Sequence, residues 1–535
     1  MSANSFRIYF GIFLVLLTLG CASRGRPTGG PKDDTPPVII QANPENYTTN
    51  FNAEEIRIYF DEYIKIKDLR KQLIISPPMD TEPDIRPLGT ASRYISIKIK
   101  DTLEANATYA LNFGQSIVDN NEENPYPYYR YVFSTGEIID SLSVKGQILD
   151  AENRNADTFV SVMLYEVDSS YTDSLVYKQK PKYITNTLDS ITTFSIDNIK
   201  AGKYKLVALK DENSNFTYQP KVDKIGFYEG IIEVPKDTLY TIKLFEETPE
   251  FKILRPGQVG EKRIIFPYEG DPEGVKIEVS GETPKDYITR LTRDKDKDSL
   301  YYWYNAKFEA DSTVFIVKNK KYTDTLVHKF RNADKDSLVI SVVKSGTLNF
   351  GEDFKLEGTT PFSKIDKSKI KIINKDSLDV PFTVKYDSLY NQYAFPIDLQ
   401  EDESYKMKLL PGALEDMYAT QNDTLDFNFR TKKKSDYGNI RVNLVNAKFP
   451  LIVQLVDDNG EVEYEEYTTE SSTVDFTDLE PKQYFLRAIF DTNKNRKFDS
   501  GDYLKQQQPE RISYSKPIDI VRANFDNIIE FILLD

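Results

Sequence analysis

Ile56-Arg57-Ile58-Tyr59-Phe60, followed by Asp61-Glu62, and Tyr94-Ile95-Ser96-Ile97-Lys98-Ile99-Lys100 alternate apolar and polar side chains with period two. Successive strand residues point to opposite faces, so each run predicts a strand with one buried face. The pattern recurs outward along the chain, in Val160-Ser161-Val162-Met163-Leu164, Val314-Phe315-Ile316-Val317 and Leu425-Asp426-Phe427-Asn428-Phe429. No long stretch carries apolar residues at helical spacing. Aromatics make up 13% of the chain, with 35 Tyr and 31 Phe, which suits pleated, half-buried surfaces. The expected fold class is all-β.

The 535 residues allow roughly three to five domains of about 100–200 residues each. The net charge of −15 repels phosphate backbones and disfavours nucleic-acid binding. Cys21 is the single cysteine, so neither a disulfide framework nor a cysteine metal cluster is available. His328 is the single histidine and lies in an alternating run, Leu326 to Phe330, which places it on the surface or core edge of a strand.

Arg7 precedes an apolar run, Ile8 to Leu19, that is too short to span a bilayer, since a spanning helix needs about 20 residues. Thr18-Leu19-Gly20-Cys21 resembles a bacterial lipobox, with two positions departing from its usual form. That resemblance implies a signal peptide over 1–20 and a diacylglycerol and acyl lipid on Cys21. Several acyl chains anchor firmly where one binds marginally. Ala22 to Pro37 is rich in Gly and Pro, so 21–37 reads as a flexible tether. Lys32-Asp33-Asp34 is similar in type to the acidic export signals of Bacteroidota surface lipoproteins but lies further from the cysteine. It favours the cell surface over the periplasmic face of the outer membrane.

Beyond the tether, Leu103 to Tyr109, Ile117-Val118-Asp119-Asn120 and Tyr131 to Gly136 join the opening runs in a phrase order that resembles the S-layer type of bacterial Ig-like domain. The resemblance implies a β-sandwich over 38–137 and no activity. Residues 141–246 and 438–535 resemble transthyretin-like sandwiches. Tyr204, Leu206, Ala208 and Asp211 recur at identical spacing as Tyr484, Leu486, Ala488 and Asp491. Residues 344–434 echo the first domain, with Tyr405, Leu409 and Asp416 following the order of Tyr109, Phe113 and Asp119. Residues 250–343 read as a further sandwich, with Asp294, Asp296 and Asp298 in a solvated loop. The expected architecture is a tandem array of Ig-like and transthyretin-like units stacked along the chain. The whole order resembles Bacteroidota Ig-like-domain outer-membrane lipoproteins.

One stretch carries recognisable chemistry. Asp491, Asn493, Asn495, Asp499 and Asp502 fall at positions 1, 3, 5, 9 and 12 of a loop, with the Lys497 carbonyl at position 7. Calcium takes six to eight oxygens in flexible geometry, and the ladder resembles an EF-hand or dockerin loop. Arg496 stands where that loop has glycine, and Asp502 replaces the usual Glu. The competing reading is an Asx-rich turn. Asp211, Asn213 and Asn215 begin a weaker copy, in which Gln219 and Val222 break the ladder and Asp223 comes one place late. In either loop an ion would be structural. Adjacent acids such as Asp61-Glu62 and Glu401-Asp402-Glu403 point to opposite strand faces. They read as solvated acids, since glycoside hydrolysis needs two carboxylates across one cleft. Tyr126-Pro127-Tyr128-Tyr129-Arg130-Tyr131 is an aromatic cluster that would either edge a sandwich or stack on sugars.

The expected function is non-enzymatic. It is an interaction scaffold, an accessory subunit of an outer-membrane β-barrel complex for barrel assembly or transport, with the barrel or other envelope proteins as partners. The alternative is a cell-surface glycan-binding or adhesion protein.

Overall fold

The structure is a computed structural model that describes residues 33–188, 191–306, 308 and 311–534. The expected signal peptide, Cys21 and most of the expected tether lie outside the described residues. Among the described residues, no helix is long and apolar enough to cross a membrane. The described residues divide into two units: 33–143 with 182–188 and 196–201, and the remainder.

The first unit is built on Glu55–Ile66, whose alternation places Ile56, Ile58, Phe60 and Ile64 inward and buried. It sits in a sheet ordered Ile39–Asn43, Glu55–Ile66, Ser92–Lys98, Asp84–Arg86, with Ile117–Asp119 on its far end. The facing sheet is Ile74–Ser76, Thr108–Asn112 and Arg130–Ser134. Phe133 lies between the layers, 4.0 Å from Phe51 and 5.4 Å from Tyr109 between ring centroids. Residues 33–37 depart from the tether expected of them. Pro37 is buried, and the Asn124 side chain donates to the Asp33 carbonyl at 2.7 Å.

The second unit holds four double-layered β bodies. The first pairs Leu142–Asp150 in parallel with Leu239–Leu244, and Ser161–Glu166 antiparallel with Gly202–Lys210. The last repeats both features, with Gly438–Val445 parallel to Asp526–Ile532 and Leu451–Val456 antiparallel to Phe485–Phe490. Tyr204, Leu206 and Ala208, like Tyr484, Leu486 and Ala488, fill the two cores. Residues 252–329 form a five-stranded and a three-stranded sheet around Phe266, Tyr302 and Phe315. His328 is buried at the core edge there, with Nε2 2.7 Å from Gln258 Oε1, and burial lowers its pKa.

Residues 340–430 repeat the first sandwich at the level of single bonds. Tyr109 accepts the Glu104 N–H at 2.9 Å, and Tyr405 accepts the Gln400 N–H at 2.8 Å. Phe133 stacks on Tyr109 and Phe429 stacks on Tyr405. Buried Asp119 accepts four backbone N–H groups, from Asn121 to Asn124, which hold its carboxyl below the usual range. Buried Asp416 accepts those of Tyr418 and Thr420.

The tandem array of this unit also closes on itself. Each body touches the next, through Lys221–Glu269, Arg293 N–H to the Leu389 carbonyl, and Lys432–Glu480. The last body then returns to the first, with Tyr503, Gln506 and Tyr514 bonded to Glu247, Lys205 and Glu152. Alternation predicts faces within one sandwich; a return between sandwiches depends on side chains far apart in sequence.

Candidate functional site

The candidate site is the loop that leaves strand Phe485–Phe490 at Asp491. Asp491 is fully buried. Its two oxygens accept the N–H groups of Asn495 and Arg496, both at 3.0 Å. Asn493 accepts the Asn495 N–H at 3.0 Å, and Asn495 accepts the Lys497 N–H at 2.8 Å. Each polar side chain thus closes a turn on a backbone donor two to five residues ahead, which is the Asx chemistry these residues favour. Lys494 and Arg496 take φ of 65° and 62°. A non-glycine residue in that region costs roughly 1–2 kcal/mol. The Arg496 guanidinium lies 4.5 Å from the Tyr467 ring centroid, a cation–π contact that offsets part of it.

Four of the expected side chains come together. The amides of Asn493 and Asn495 both donate to Asp499 Oδ2, the second at 2.8 Å, while Asp491 closes the turn beneath them. Lys497 directs its ammonium to Glu273, 3.0 Å away. Asp502 is not brought to the turn: its carboxylate holds the Lys505 ammonium at 2.6 Å, and its backbone bridges to Gln507. The acid behind the turn is Glu510, which the loop pattern does not reveal. It accepts the Thr492 N–H at 2.7 Å and the Asp499 N–H at 3.2 Å. Nineteen residues separate Glu510 from Asp491, so no fixed loop spacing signals it. Among the described residues, no cluster of three or more carboxylate, imidazole or thiol groups could hold a metal ion.

The earlier loop has the same first turn. Asp211 Oδ2 accepts the Phe216 N–H at 2.7 Å, and Asn215 accepts the Thr217 N–H at 2.9 Å. Ser214 and Phe216 take the two positive φ values, 54° and 60°. Gln219 stands where Asp499 does and receives the Asn213 amide at 2.8 Å. Asp223 holds the place of Glu510, accepting the N–H groups of Glu212 and Gln219. Burial raises its pKa. Asp211 Oδ1 is buried without a hydrogen-bond partner among the described residues.

Beyond position 9 the later loop continues into a docking arm. Fully buried Tyr503 enters an aromatic nest, 5.3 Å from Phe227 and 6.3 Å from Tyr177 between ring centroids, and its N–H donates to Glu247 at 2.6 Å. The ammonium of buried Lys205 donates to Gln506 at 2.5 Å and to the Tyr228 carbonyl at 3.1 Å. Desolvation lowers its pKa. A Cβ on Gly501 would meet Phe245 at 2.6 Å and the Gln507 carbonyl at 2.8 Å, so only glycine allows this approach.

The tyrosine cluster at 126–131 offers no sugar platform. Tyr129 and Tyr131 are in the core and Tyr126 packs on it; only Tyr128 is exposed.

The bacterial Ig-like domain family matches residues 33–135, the first sandwich. No curated protein matches the chain. Among solved structures, domains 1–6 of the surface layer protein SbsC align at 10% identity over 86% of this chain and 64% of that one, with a TM-score of 0.14. This chain therefore spans less than two thirds of that structure. The BSP domain of a biofilm associated protein aligns at 8% identity over 94% and 99%, TM-score 0.16. The Bacillus anthracis TIE protein aligns at 10% over 95% and 75%, TM-score 0.14. TM-scores this low carry no property of those proteins to this chain.

Proposed function

We propose that this chain is a non-enzymatic scaffold held at the outer membrane by lipid on Cys21, an accessory subunit that packs beside a β-barrel complex of assembly or transport. The observation that carries this reading is the return of the last sandwich to the second. Tyr503, Lys205 and Gln506 join two bodies about three hundred residues apart in sequence, so the last sandwich does not stand free at the end of the array. The lone cysteine behind a short apolar run supports the anchor. Affinity purification from native membranes in mild detergent tests it: a barrel protein is expected in stoichiometric amount, and recovery of the chain alone sinks the scaffold. Cys21→Ala is expected to fold normally and leave the membrane fraction.

Calcium at 491–499 is part of the same proposal. Asp491, Asn493, Asn495 and Asp499 would supply the oxygens, and the ion would take the place of the amide bonds now made to Asp499 Oδ2. Its role would be to stiffen the base of the docking arm.

A further inference from the structure

Strand Asp526–Ile532 lies at the edge of its sheet in the last sandwich, in the order Thr473–Leu479, Gly438–Val445, Asp526–Ile532. Two bonds fix which way its backbone faces. The Asn439 N–H donates to the Phe525 carbonyl at 3.0 Å, and the Leu533 N–H to the Val445 carbonyl at 3.0 Å. Alternate residues of a strand turn their backbone groups to opposite sides. Asn527, Ile529 and Phe531 therefore serve the parallel ladder, while Ile528, Glu530 and Ile532 aim N–H and C=O at the open side. Those open-side groups have no hydrogen-bond partner among the described residues.

The earlier repeat covers the end of this side. There Ile225 and Phe245 exchange backbone bonds of 2.9 and 2.8 Å, so Lys224–Phe227 lies against the end of Leu239–Leu244. Gly226 permits the approach, since a Cβ on it would collide with the Lys243 carbonyl. In the last repeat Ser513 stands in that place, opposite Ala488 as Gly226 is opposite Ala208. The contact shrinks to one bond, from the Leu534 N–H to Ser513 Oγ at 2.9 Å. The rest of the edge is bare and apolar. Ile528 is 72% exposed and Ile532 54%, and Phe525 and Leu534 at its two ends are exposed as well. Edges are ordinarily blunted by lysine, proline or a covering segment. Lys243 lies two residues before Phe245, whereas Ile532 lies two before Leu534.

Charge decides what covers the edge. Glu530 is exposed between the two isoleucines, faces Asn443 on the neighbouring strand, and has no ion pair among the described residues. Arg441, opposite Ile528, is already held by Asp475 at 2.7 and 2.8 Å. A second copy pairing antiparallel, isoleucine to isoleucine, would set Glu530 against its own counterpart, and like charges directly opposite destabilise a ladder. A strand with a base between two apolar residues gains where the copy loses. Its backbone fills the open row, its apolar side chains meet Ile528 and Ile532, and its cation meets Glu530. We infer that Asp526–Ile532 takes up an extended segment of a partner protein, patterned apolar-x-basic-x-apolar, as an added strand. The inference rests on the scaffold reading and adds the chemistry of one contact to it.

The test uses the full-length protein in mild detergent and a fluorescein-labelled peptide, Ser-Thr-Val-Thr-Lys-Thr-Val-Thr-Ser, read by anisotropy. Binding is expected. Methylating one alternate set of the peptide's backbone nitrogens should abolish it, and methylating the other set should be tolerated, since only one side of an added strand pairs. Replacing the peptide's Lys by Glu should weaken binding several-fold, and Glu530→Lys should reverse that preference. Ile528→Thr with Ile532→Thr should weaken it several-fold, whereas Leu239→Thr, on the exposed start of the earlier edge, should leave it unchanged. Unchanged melting temperatures show that the variants fold, and the methylated peptides test wild type alone. Equal binding of both methylated peptides overturns the inference, as does an unchanged preference in Glu530→Lys. A dimer, by sedimentation, that the double threonine change dissociates gives the edge to a second copy and overturns it too. Peptide binding by a chain recovered from membranes without a barrel partner keeps the edge and sinks the scaffold; a stoichiometric barrel partner with no peptide binding does the reverse.

Discussion

The loops at Asp211 and Asp491 begin alike and end differently. In both, a buried or half-buried aspartate takes a backbone N–H five residues ahead, and two non-glycine residues turn left-handed at matching places. In both, a later acid closes the turn from behind. Asp223 does so twelve residues after Asp211, and Glu510 nineteen after Asp491. The seven additional residues of the later loop carry Tyr503 and Gln506 into the earlier repeat. The first turn is local chemistry, which a short polar side chain can satisfy anywhere. The remainder of each loop is free to diverge, and one copy became a clamp while the other became its socket.

The largest expected effect breaks the clamp. Tyr503→Ala removes a fully buried aromatic from the nest and should destabilise the second unit by about 3–5 kcal/mol, measured by denaturant unfolding. An unchanged midpoint would mean that the two repeats do not depend on each other. Next is Asp491→Ala, which strands two backbone donors and should cost about 2–3 kcal/mol. Asp211→Ala strands one and should cost about half as much; equal costs would show the two turns to be equivalent. Adding chelator should lower the melting temperature by a few degrees, as expected for loss of a ligand bound only to the folded state. Asp499→Asn should abolish that shift, and a chelator-insensitive wild type removes calcium from the loop.

The pH dependence separates the two copies more finely. Burial raises the Asp223 carboxyl above its unfolded value, so the folded chain binds the proton more readily. Its ionised form therefore weakens the fold at neutral pH, and stability from this group should rise as pH falls through the folded pKa. Asp119 in the first unit has the opposite sign, since four backbone N–H groups favour its charged form. Its contribution is present above the unfolded pKa and is lost as pH falls through the folded one. Melting curves of Asp223→Asn and Asp119→Asn between pH 7 and pH 3 should move in opposite directions relative to wild type. The smallest effect is Tyr218→Phe, whose buried hydroxyl interacts with the Glu247 carboxyl; its loss should cost about 1 kcal/mol or less.

Much of this molecule was legible in one dimension. Period-two alternation named the strands and their buried faces, as in Ile56, Ile58 and Phe60. The echo of Tyr109 in Tyr405 marked a repeated sandwich because its hydroxyl bonds a backbone N–H five residues upstream, within reach of a fixed motif. The first four side chains of the Asp491 loop were found for the same reason. Asp502 lies beyond that turn and Glu510 stands behind it because the arm between them has a length of its own. The tyrosines at 126–131 showed their type but not their direction, and Tyr129 and Tyr131 face the core.

Amino-acid order alone determined the all-β class, the two kinds of sandwich and the first turn of each Asx loop, since these depend on neighbours within about ten residues. Tertiary structure alone decided that the last sandwich closes on the second, that Lys205 is desolvated by a loop some three hundred residues away, and that Asp526–Ile532 keeps an open edge. Alternation and Asx chemistry act through the covalent chain. The clamp and the open edge depend on which surfaces meet after each sandwich has buried its own core.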